Sequence, residues 1–330
     1  MKHLFFLVGW VAIVATGIGC KEVFSPKGEY EKRMVVYCVL SNQSARQYAR
    51  VYSTYDPSSN NPLSIVTDNP VVDASVLLEA GGNAWPMKDT TVMRDDTSRY
   101  SSGIKAFVLN PFEPVGKTTY RITVNSPTMG QAYAETIMPG KGEINVSAIY
   151  MMNTPLKYLD GSLLVSELIS PTTQGVLVRM FVEIILTTAG NAVVRMEVPS
   201  SILSSANTAG ETTRQIPIYP KLSRTTYGDL SISQDYYQAT QFSVEAFIYV
   251  LNLFDTQYAA KGFEYNRAIF YLYQTDKNLY RGYSITNGFN DEHSIRTDEP
   301  DFSNVHGGLG IVGSFRVDSA AYSLPPVITH

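Results

Sequence analysis

The stretch Tyr120-Arg121-Ile122-Thr123-Val124-Asn125 decides the fold class, because apolar and polar side chains alternate along it. Successive side chains of a β-strand point to opposite faces, so this period of two places Ile122 and Val124 in a core and their neighbours toward water. Similar short stretches recur from residue 33 to residue 139. The strands predicted there are residues 34–40, 48–55, 74–80, 120–125 and 132–138.

Turn residues separate these strands, as in a compact β-domain. They include Asp68-Asn69-Pro70, Gly81-Gly82-Asn83 and Asn110-Pro111-Phe112. Short strands with frequent turns predict an immunoglobulin-like β-sandwich over residues 33–139. The chain lacks the Cys, Trp, Cys trio of a true immunoglobulin domain, so only the sandwich architecture is predicted.

The run Met138-Pro139-Gly140-Lys141-Gly142-Glu143 marks a domain boundary, because proline and glycine end the preceding strand. We predict a second β-sandwich over residues 140–330. Its strands are predicted at residues 144–152, 163–168, 176–186, 192–198 and 242–251, with a long exposed connection at 200–213. Apolar side chains recur at helical spacing over residues 265–283 and predict a short inserted helix there. One large β domain is the alternative for a chain of 330 residues.

The composition indicates a folded chain that does not bind nucleic acid. Hydrophobic residues make up 44% of the sequence and charged residues 17%, which provides enough apolar surface for a core. Lys and Arg number 26 against 30 Asp and Glu, which leaves a net charge of -4. Since phosphate binding needs clustered cations and no basic run occurs, nucleic acid is not predicted as a partner.

The N terminus has the pattern of an export signal. A charged start, Lys2-His3, precedes an apolar run over residues 4–19, which ends in small residues directly before Cys20. As a helix this run would measure about 24 Å, which is short for a hydrocarbon core of about 30 Å. We therefore predict a signal peptide at residues 1–19 in preference to an uncleaved membrane anchor.

A cysteine directly after small residues distinguishes a lipoprotein signal from an ordinary secretory one, because its thiol takes the lipid. Gly17-Ile18-Gly19-Cys20 resembles a bacterial lipobox. We predict lipid attachment at Cys20, followed by a tether over residues 20–32 that is charged and has no apolar period. With Cys20 acylated, Cys38 has no disulfide partner and is predicted to pack as a small hydrophobe.

Residues suited to catalysis or metal binding are few. The sequence has 4 histidines and no zinc-protease motif, paired Cys site, nucleophile elbow or phosphate loop. The segment 291–301 is the strongest metal candidate, but it lacks the order of a calcium loop and is interpreted as a solvated turn. Its five carboxylates and one imidazole are Asp291, Glu292, His293, Asp298, Glu299 and Asp301. No cofactor and no metal are predicted.

A glycine-dense stretch, residues 304–313, follows this acidic segment. Its glycines come too late in an all-β pattern for a dinucleotide fingerprint, so they are interpreted as positions of positive φ or close strand approach. The least favoured functional hypothesis is an enzyme, with acid and base groups at Asp291, Asp298, Glu299 and His306.

Several stretches together carry a resemblance to a known family. They are the lipobox at Cys20; Met34-Val35-Val36-Tyr37-Cys38-Val39-Leu40-Ser41; Val71-Val72-Asp73-Ala74-Ser75-Val76 with the later Tyr120 and Ala134-Glu135-Thr136; and Glu299-Pro300-Asp301-Phe302-Ser303-Asn304-Val305-His306-Gly307-Gly308-Leu309-Gly310. This pattern resembles the DUF4249 family, which are lipoproteins of Bacteroidetes, over nearly the whole mature chain. Lys21 and Glu22, directly after the cysteine, look like the surface-export signal of such lipoproteins.

The resemblance implies an outer-membrane lipoprotein, at the cell surface rather than the periplasmic face, that works with a TonB-dependent receptor. We expect a non-catalytic accessory or binding subunit of a nutrient uptake system, with a glycan or a peptide as ligand. Aromatic residues in loops provide contact area for such a ligand, unless they line the edge of the core. The candidates are Trp85, Tyr236, Tyr237, Tyr280 and Tyr283. The alternative is a structural or adhesive envelope lipoprotein.

Overall fold

Strands make up most of the structure, so the prediction of a mainly β protein is confirmed. The structure is a computed structural model that describes residues 30–55, 68–95, 103–146, 162–188, 190–205, 214–226, 233–288, 302–326 and 328. The predicted signal peptide, Cys20 and the acidic segment at 291–301 lie outside the described residues. The same holds for residues 147–152, the second part of a predicted strand.

Seventeen strands and two α-helices form the described part of the chain. The strands before the predicted domain boundary are β1 (Met34–Ser41), β2 (Gln47–Ser53), β3 (Ser75–Ala80), β4 (Asn83–Val92), β5 (Ile104–Leu109), β6 (Thr119–Ser126) and β7 (Gly130–Ile137). Those after it are β8 (Glu143–Val146), β9 (Ser162–Ile169), β10 (Gly175–Leu186), β11 (Val193–Val198), β12 (Ser201–Ser205), β13 (Arg214–Ile218), β14 (Ser223–Arg224), β15 (Tyr236–Ser243), β16 (Phe263–Thr275) and β17 (Leu309–Ser323). The helices are α1 (Val244–Tyr258), followed by a short 3-10 helix at Ala259–Lys261, and α2 (Lys277–Gly288).

Most strands belong to one large mixed sheet. Its order is β11-β10-β16-β17-β1-β2-β5-β4-β3-β6-β7, and β14 pairs with β10. Strands β1 and β17 run parallel, whereas the other paired strands are antiparallel. The hairpin β12-β13 and the three-stranded sheet β15-β9-β8 are separate from it.

The N-terminal core forms where the large sheet folds back on itself. Strand β4 pairs with β5 on one side and with β3 on the other, so β1 and β2 share a core with β6 and β7. Ile122 and Val124 of β6 are 1% and 0% exposed in this core, as the alternation predicts. Cys38 of β1 is buried in the same core, and burial raises the pKa of its thiol to about 12. The prediction that Cys38 packs as a small hydrophobe is confirmed.

The C-terminal core packs the three-stranded sheet and α1 against β10 and β16. Helix α1 buries one face, formed by Ala246, Phe247, Val250, Leu251 and Phe254. The hydroxyl of Ser243 caps the first turn by accepting a hydrogen bond from the Ala246 amide at 3.1 Å. The predicted strand at 242–251 is therefore wrong beyond Ser243. The apolar residues there follow a helical spacing and are preceded by a capping serine. Many of them are aromatic or β-branched, and such residues favour a strand prediction.

The predicted helix over residues 265–283 is wrong in its first half. Residues up to Thr275 form β16, which lies between β10 and β17, and the helix begins only at Lys277. Ala268 and Phe270 are 0% exposed and Ile269 is 5% exposed. A central strand that is buried on both faces has consecutive apolar residues. The periodicity of such a run does not distinguish a strand from a buried helix.

Strands β4 and β5 lie where the sequence predicts no strand. Most of β4 is exposed and its sequence lacks a regular apolar alternation. Part of the predicted connection at 200–213 is also strand, since β12 pairs with β13 and places Leu203 opposite Ile216. These segments are strands mainly because they pair with a neighbouring strand, and less because one face is buried. Pairing does not require alternating apolar residues, so the sequence gives a weaker signal for such strands.

One continuous sheet joins the two cores, because β17 pairs with β1 along its first half and with β16 along its second. Residues Arg33–His330 form one compact unit. The boundary at residue 139 stays a prediction. The buried side chains of the N-terminal core come from residues before this boundary, and those of the C-terminal core come from residues after it. Val305 and Val312 are exceptions, because they follow the boundary in the chain but belong to the N-terminal core.

A buried hydrogen-bond network joins β7, β17 and α2 at Asp276. The carboxylate accepts hydrogen bonds from the amides of Leu279 at 2.9 Å and Ser314 at 3.1 Å. It also accepts one from the hydroxyl of Thr136 at 2.9 Å, while the Ser314 hydroxyl donates to the carbonyl of Ile137 at 2.9 Å. Burial raises the pKa of Asp276, and the hydrogen bonds offset part of that increase.

Replacement of Asp276 is expected to weaken the connection between the cores. Asp276→Ala leaves two amides and one buried hydroxyl without their acceptor, and it should lower the free energy of unfolding by about 2–4 kcal/mol in urea titrations. Glu113 is exposed, and Glu113→Ala is the control, with an expected change below about 0.5 kcal/mol. A loss for Asp276→Ala as small as that of the control would contradict the role of the network.

Candidate functional site

The aromatic residues predicted as ligand contacts lie in three separate parts of the structure. Trp85 on β4 packs edge-on against Phe112, with ring centroids 5.0 Å apart, and contacts the N-terminal core. Tyr236 on β15 packs against the C-terminal core, whereas its neighbour Tyr237 is 66% exposed. Trp85 and Tyr236 thus line the edges of the two cores, and Tyr237 faces solvent.

Tyr280 and Tyr283 lie on α2. The ring of Tyr280 lies against Gly175 so closely that a Cβ on this glycine would overlap it, and Tyr283 is 38% exposed. The predicted aromatic residues thus lie on three different elements, β4, β15 and α2.

His306, a candidate acid or base in the enzymatic hypothesis, stacks on Tyr133 of β7 with ring centroids 4.8 Å apart. The Arg121 guanidinium lies over the same ring, 4.0 Å from its centroid. The backbones of His306 and Tyr133 exchange two hydrogen bonds. The carboxylates proposed as partners of His306 lie outside the described residues. Within the ranges that the structure describes, no cluster of three or more His, Cys, Asp or Glu side chains could hold a metal ion.

The glycines that follow His306 allow backbone conformations and a close strand approach that other residues would not allow, as the sequence predicts. Gly307 and Gly310 have φ angles of 72° and 114°, in the region that favours glycine. A Cβ on Gly310 would overlap the carbonyl oxygen of Val36 on β1. The interpretation of these glycines as positions of positive φ and close strand approach is confirmed.

An exposed aromatic surface lies on the first two strands of the fold. Alternation along β1 buries its even-numbered residues and turns Tyr37 and Val39 outward. Tyr37 lies opposite Arg50 of β2 and opposite Ile311 of β17. Tyr48 of β2 has the same orientation as Arg50, two positions along the strand. We call Tyr37, Val39, Tyr48, Arg50 and Ile311 the outer tyrosine face.

Three side chains of the outer tyrosine face are largely open to solvent. Tyr37, Val39 and Tyr48 are 48%, 39% and 37% exposed. Their strands are held from both sides, because β1 lies between β17 and β2, and β2 lies between β1 and β5. Side chains on paired strands are more precisely positioned than side chains on loops, so the face is preorganised for contact.

Arg50 is fixed within the outer tyrosine face by the ring beneath it. Its guanidinium carbon lies 4.6 Å from the ring centroid of Tyr52, and its Nε donates a hydrogen bond to the Tyr52 hydroxyl at 3.2 Å. Burial raises the pKa of Tyr52, although Arg50 partly opposes this, so the phenol stays neutral and donates to the carbonyl of Lys105 at 2.9 Å. The face therefore carries one ordered positive charge.

Helix α2 borders the outer tyrosine face at Ile311. A Cβ on Gly282 would overlap the Ile311 side chain, and one on Gly313 would lie 2.8 Å from the Cβ of Leu279. These glycines allow the helix to approach β17 closely. Tyr283 directly follows Gly282 on this helix.

Tyr37, Val39 and Tyr48 are not among the predicted ligand contacts, because those were aromatic residues expected in loops. The available signal was the alternation of the predicted strand at 34–40. A strand that buries Val36 and Cys38 must turn Tyr37 and Val39 outward, and apolar residues on an outward face indicate a contact surface.

A buried carboxyl group lies in the C-terminal core. Glu167 of β9 is 0% exposed and lies opposite Gln238 of β15. Neither carboxyl oxygen meets the geometry of a hydrogen bond with any residue in the described ranges. Burial raises the pKa of Glu167 to about 7, while Thr240 and Gln238 offset part of the effect.

No protein-family model matches the chain, and no curated protein matches it. The resemblance to the DUF4249 family therefore stays a prediction. Among the residues that the structure describes, no helix combines the length and the apolar character that crossing a membrane requires.

The buried carboxyl group predicts a pH-dependent stability. Glu167 is protonated in both states below a pH of about 4.5, and above that value the unfolded state loses the proton first. Stability contributed by the neutral form is therefore lost as the pH rises toward about 7, by roughly 3 kcal/mol. Glu167→Gln lacks this titration, so the variant should match the wild type at pH 4 and exceed it at pH 8 in urea unfolding. The same difference at both pH values would show that Glu167 keeps an ordinary pKa.

Proposed function

We propose that this protein is an outer-membrane lipoprotein, anchored through Cys20 and displayed at the cell surface. It acts as a non-catalytic accessory or binding subunit of a TonB-dependent nutrient uptake system. The lipobox at Cys20 supports the anchor, and the pattern that resembles the DUF4249 family supports the setting. The observation that carries the binding role is the outer tyrosine face.

The outer tyrosine face has the composition of a protein-binding surface. Tyrosine and arginine are enriched at interfaces, because they provide a large contact area and polar groups at a low entropic cost. Tyr37 and Tyr48 expose their rings beside one ordered cation, Arg50, and beside the aliphatic Val39 and Ile311. This chemistry suits a receptor loop, and it also suits the glycan or peptide that such a system takes up.

The location of the face in the chain agrees with an anchored subunit. Strand β1 follows the proposed tether at residues 20–32 and carries Tyr37 and Val39. A face on the first strand after a lipid anchor remains close to the anchor in the chain, which limits the loop entropy of binding a membrane partner.

A structural or adhesive envelope lipoprotein is the second candidate. The continuous sheet favours it, since β17 links both cores and would make the chain a rigid spacer. Under this alternative, deletion of the protein alters surface integrity or attachment while uptake stays normal. Under the accessory role, uptake falls first.

The binding role predicts that two tyrosines control receptor recovery. After crosslinking in intact cells, wild-type protein should recover a TonB-dependent receptor, identified by mass spectrometry. Tyr37→Ala combined with Tyr48→Ala should reduce that recovery about tenfold or more, because truncation of interface aromatics costs 1 kcal/mol or more each, roughly. Tyr237→Ala is the matched control, since it removes an exposed tyrosine from another surface. Recovery of no receptor by the wild type, or equal losses in control and double variant, would sink the proposal.

The anchor predicts a change of fractionation. Cys20→Ser removes the thiol that takes the lipid, so the variant should leave the membrane fraction. Mass spectrometry of the wild type should find an acylated Cys20 at a new N terminus. Cys38→Ser, at the buried cysteine, is the control for loss of a thiol and should keep the protein in the membrane fraction. An unmodified N terminus would contradict the anchor.

A further inference from the structure

Strands β2 and β5 diverge, and a cavity opens between them. They are paired only from Gln47 to Ala49 of β2, and Ala49 opposite Phe107 is the last pair. Beyond this pair, the segment around Val71 replaces β5 as the partner of β2, and the Val71 amide donates a hydrogen bond to the Val51 carbonyl at 3.1 Å. The Tyr52 hydroxyl donates a hydrogen bond to the Lys105 carbonyl of β5. The Val51 carbonyl of β2 and the Lys105 carbonyl of β5 are thus satisfied although the two strands no longer pair.

The cavity has a volume of about 200 Å³ and is lined mainly by apolar groups. Its lining residues are Val51, Pro70, Val71, Val72, Ala74, Asp89, Lys105, Ala106 and Phe107. Its volume is below the roughly 300–1,000 Å³ of sites for drug-sized ligands, so it suits a small molecule. The side chain of Val72 lines this cavity and is 87% exposed. A ligand that buries its apolar surface would gain binding free energy.

Asp89 and Lys105 are the two charged residues of the lining. Asp89 lies opposite Phe107 and Lys105 lies opposite Thr91, so the two charges are diagonal neighbours on one face of the β4-β5 pair. Both are exposed, and no ion pair joins either of them to another described residue. One carboxylate and one ammonium group thus stand side by side at an apolar cavity.

We infer that this cavity binds a free α-amino acid with an aliphatic side chain. The Asp89 carboxylate pairs with the ligand ammonium group, and the Lys105 ammonium group pairs with the ligand carboxylate. The aliphatic side chain enters the apolar part of the cavity, against Val51 and Phe107. The site lies on other residues than the outer tyrosine face and does not depend on a receptor.

The test uses calorimetry with the full chain in detergent and four ligands that separate the three contributions. L-leucine carries both charges and an aliphatic side chain, leucinamide lacks the carboxylate, 4-methylpentanoate lacks the ammonium group, and glycine lacks the side chain. L-leucine should bind about five- to tenfold more tightly than each of the other three, as expected for exposed charge pairs and a small apolar contact. No saturable binding of L-leucine up to about 10 mM, a weak limit for a specific site, would overturn the inference.

Two variants assign the charges. In Lys105→Met, L-leucine and leucinamide should bind equally, because the ligand carboxylate has lost its partner. In Asp89→Asn, L-leucine and 4-methylpentanoate should bind equally. Lys88→Met is the matched control: Lys88 precedes Asp89 on β4, is exposed and does not line the cavity, so the ligand order should stay that of the wild type.

The outcomes separate this inference from the proposed function. A preference for L-leucine over leucinamide that persists in Lys105→Met, or that disappears in Lys88→Met, would overturn the assignment of Lys105. Thermal melts of each variant monitor folding, and the wild-type ligand series tests the inference even if a variant does not fold. Receptor recovery by Tyr37 and Tyr48 is measured separately, so either result can fail without the other.

Discussion

Strand β17 changes partners halfway along its length, and the Asp276 network lies at the point where it does so. Residues up to Phe315 pair with β1, and residues from Phe315 onward pair with β16. Where β16 ends, the Asp276 amide donates to the Ser314 carbonyl, and the Asp276 carboxylate accepts the Ser314 amide. Both backbone groups of Ser314 that face the β16 side are therefore satisfied, although β16 has ended there and only β1 still runs beside Ser314. One strand can therefore belong to both cores.

Both candidate surfaces lie beside strands that change partners. Where β17 leaves β16, α2 takes the vacated place and borders the outer tyrosine face at Ile311. Where β2 leaves β5, the segment around Val71 takes its place, and the cavity with Asp89 and Lys105 opens. A regular sheet offers a flat surface and no concave site. The points where β17 and β2 lose a neighbouring strand therefore create the border of the outer tyrosine face and the cavity on a sheet that is otherwise continuous.

Three carboxyl groups are buried within the described part of the chain, and each is held in a different way. Asp276 is satisfied by backbone amides and a hydroxyl. Burial would raise the pKa of Glu183, but hydrogen bonds from Arg267 and Arg195 lower it below its ordinary value. Glu167 has no such partner in the described part of the chain, and its pKa is raised to about 7. Since a buried charge without a partner is costly, loss of the Glu167 proton at higher pH lowers the stability of the fold.

The sequence by itself determined the mainly β class, the burial of Cys38 and the role of Gly307 and Gly310, because alternation and positive φ are local properties of the chain. It did not reveal that residues 263–275 are a strand, since burial on both faces removes the alternation. The predicted loop aromatics missed the outer tyrosine face, although the period of β1 already turned Tyr37 outward. The cavity could not be predicted at all. It depends on which strands pair across long distances in the chain, and the tertiary structure alone decides that pairing.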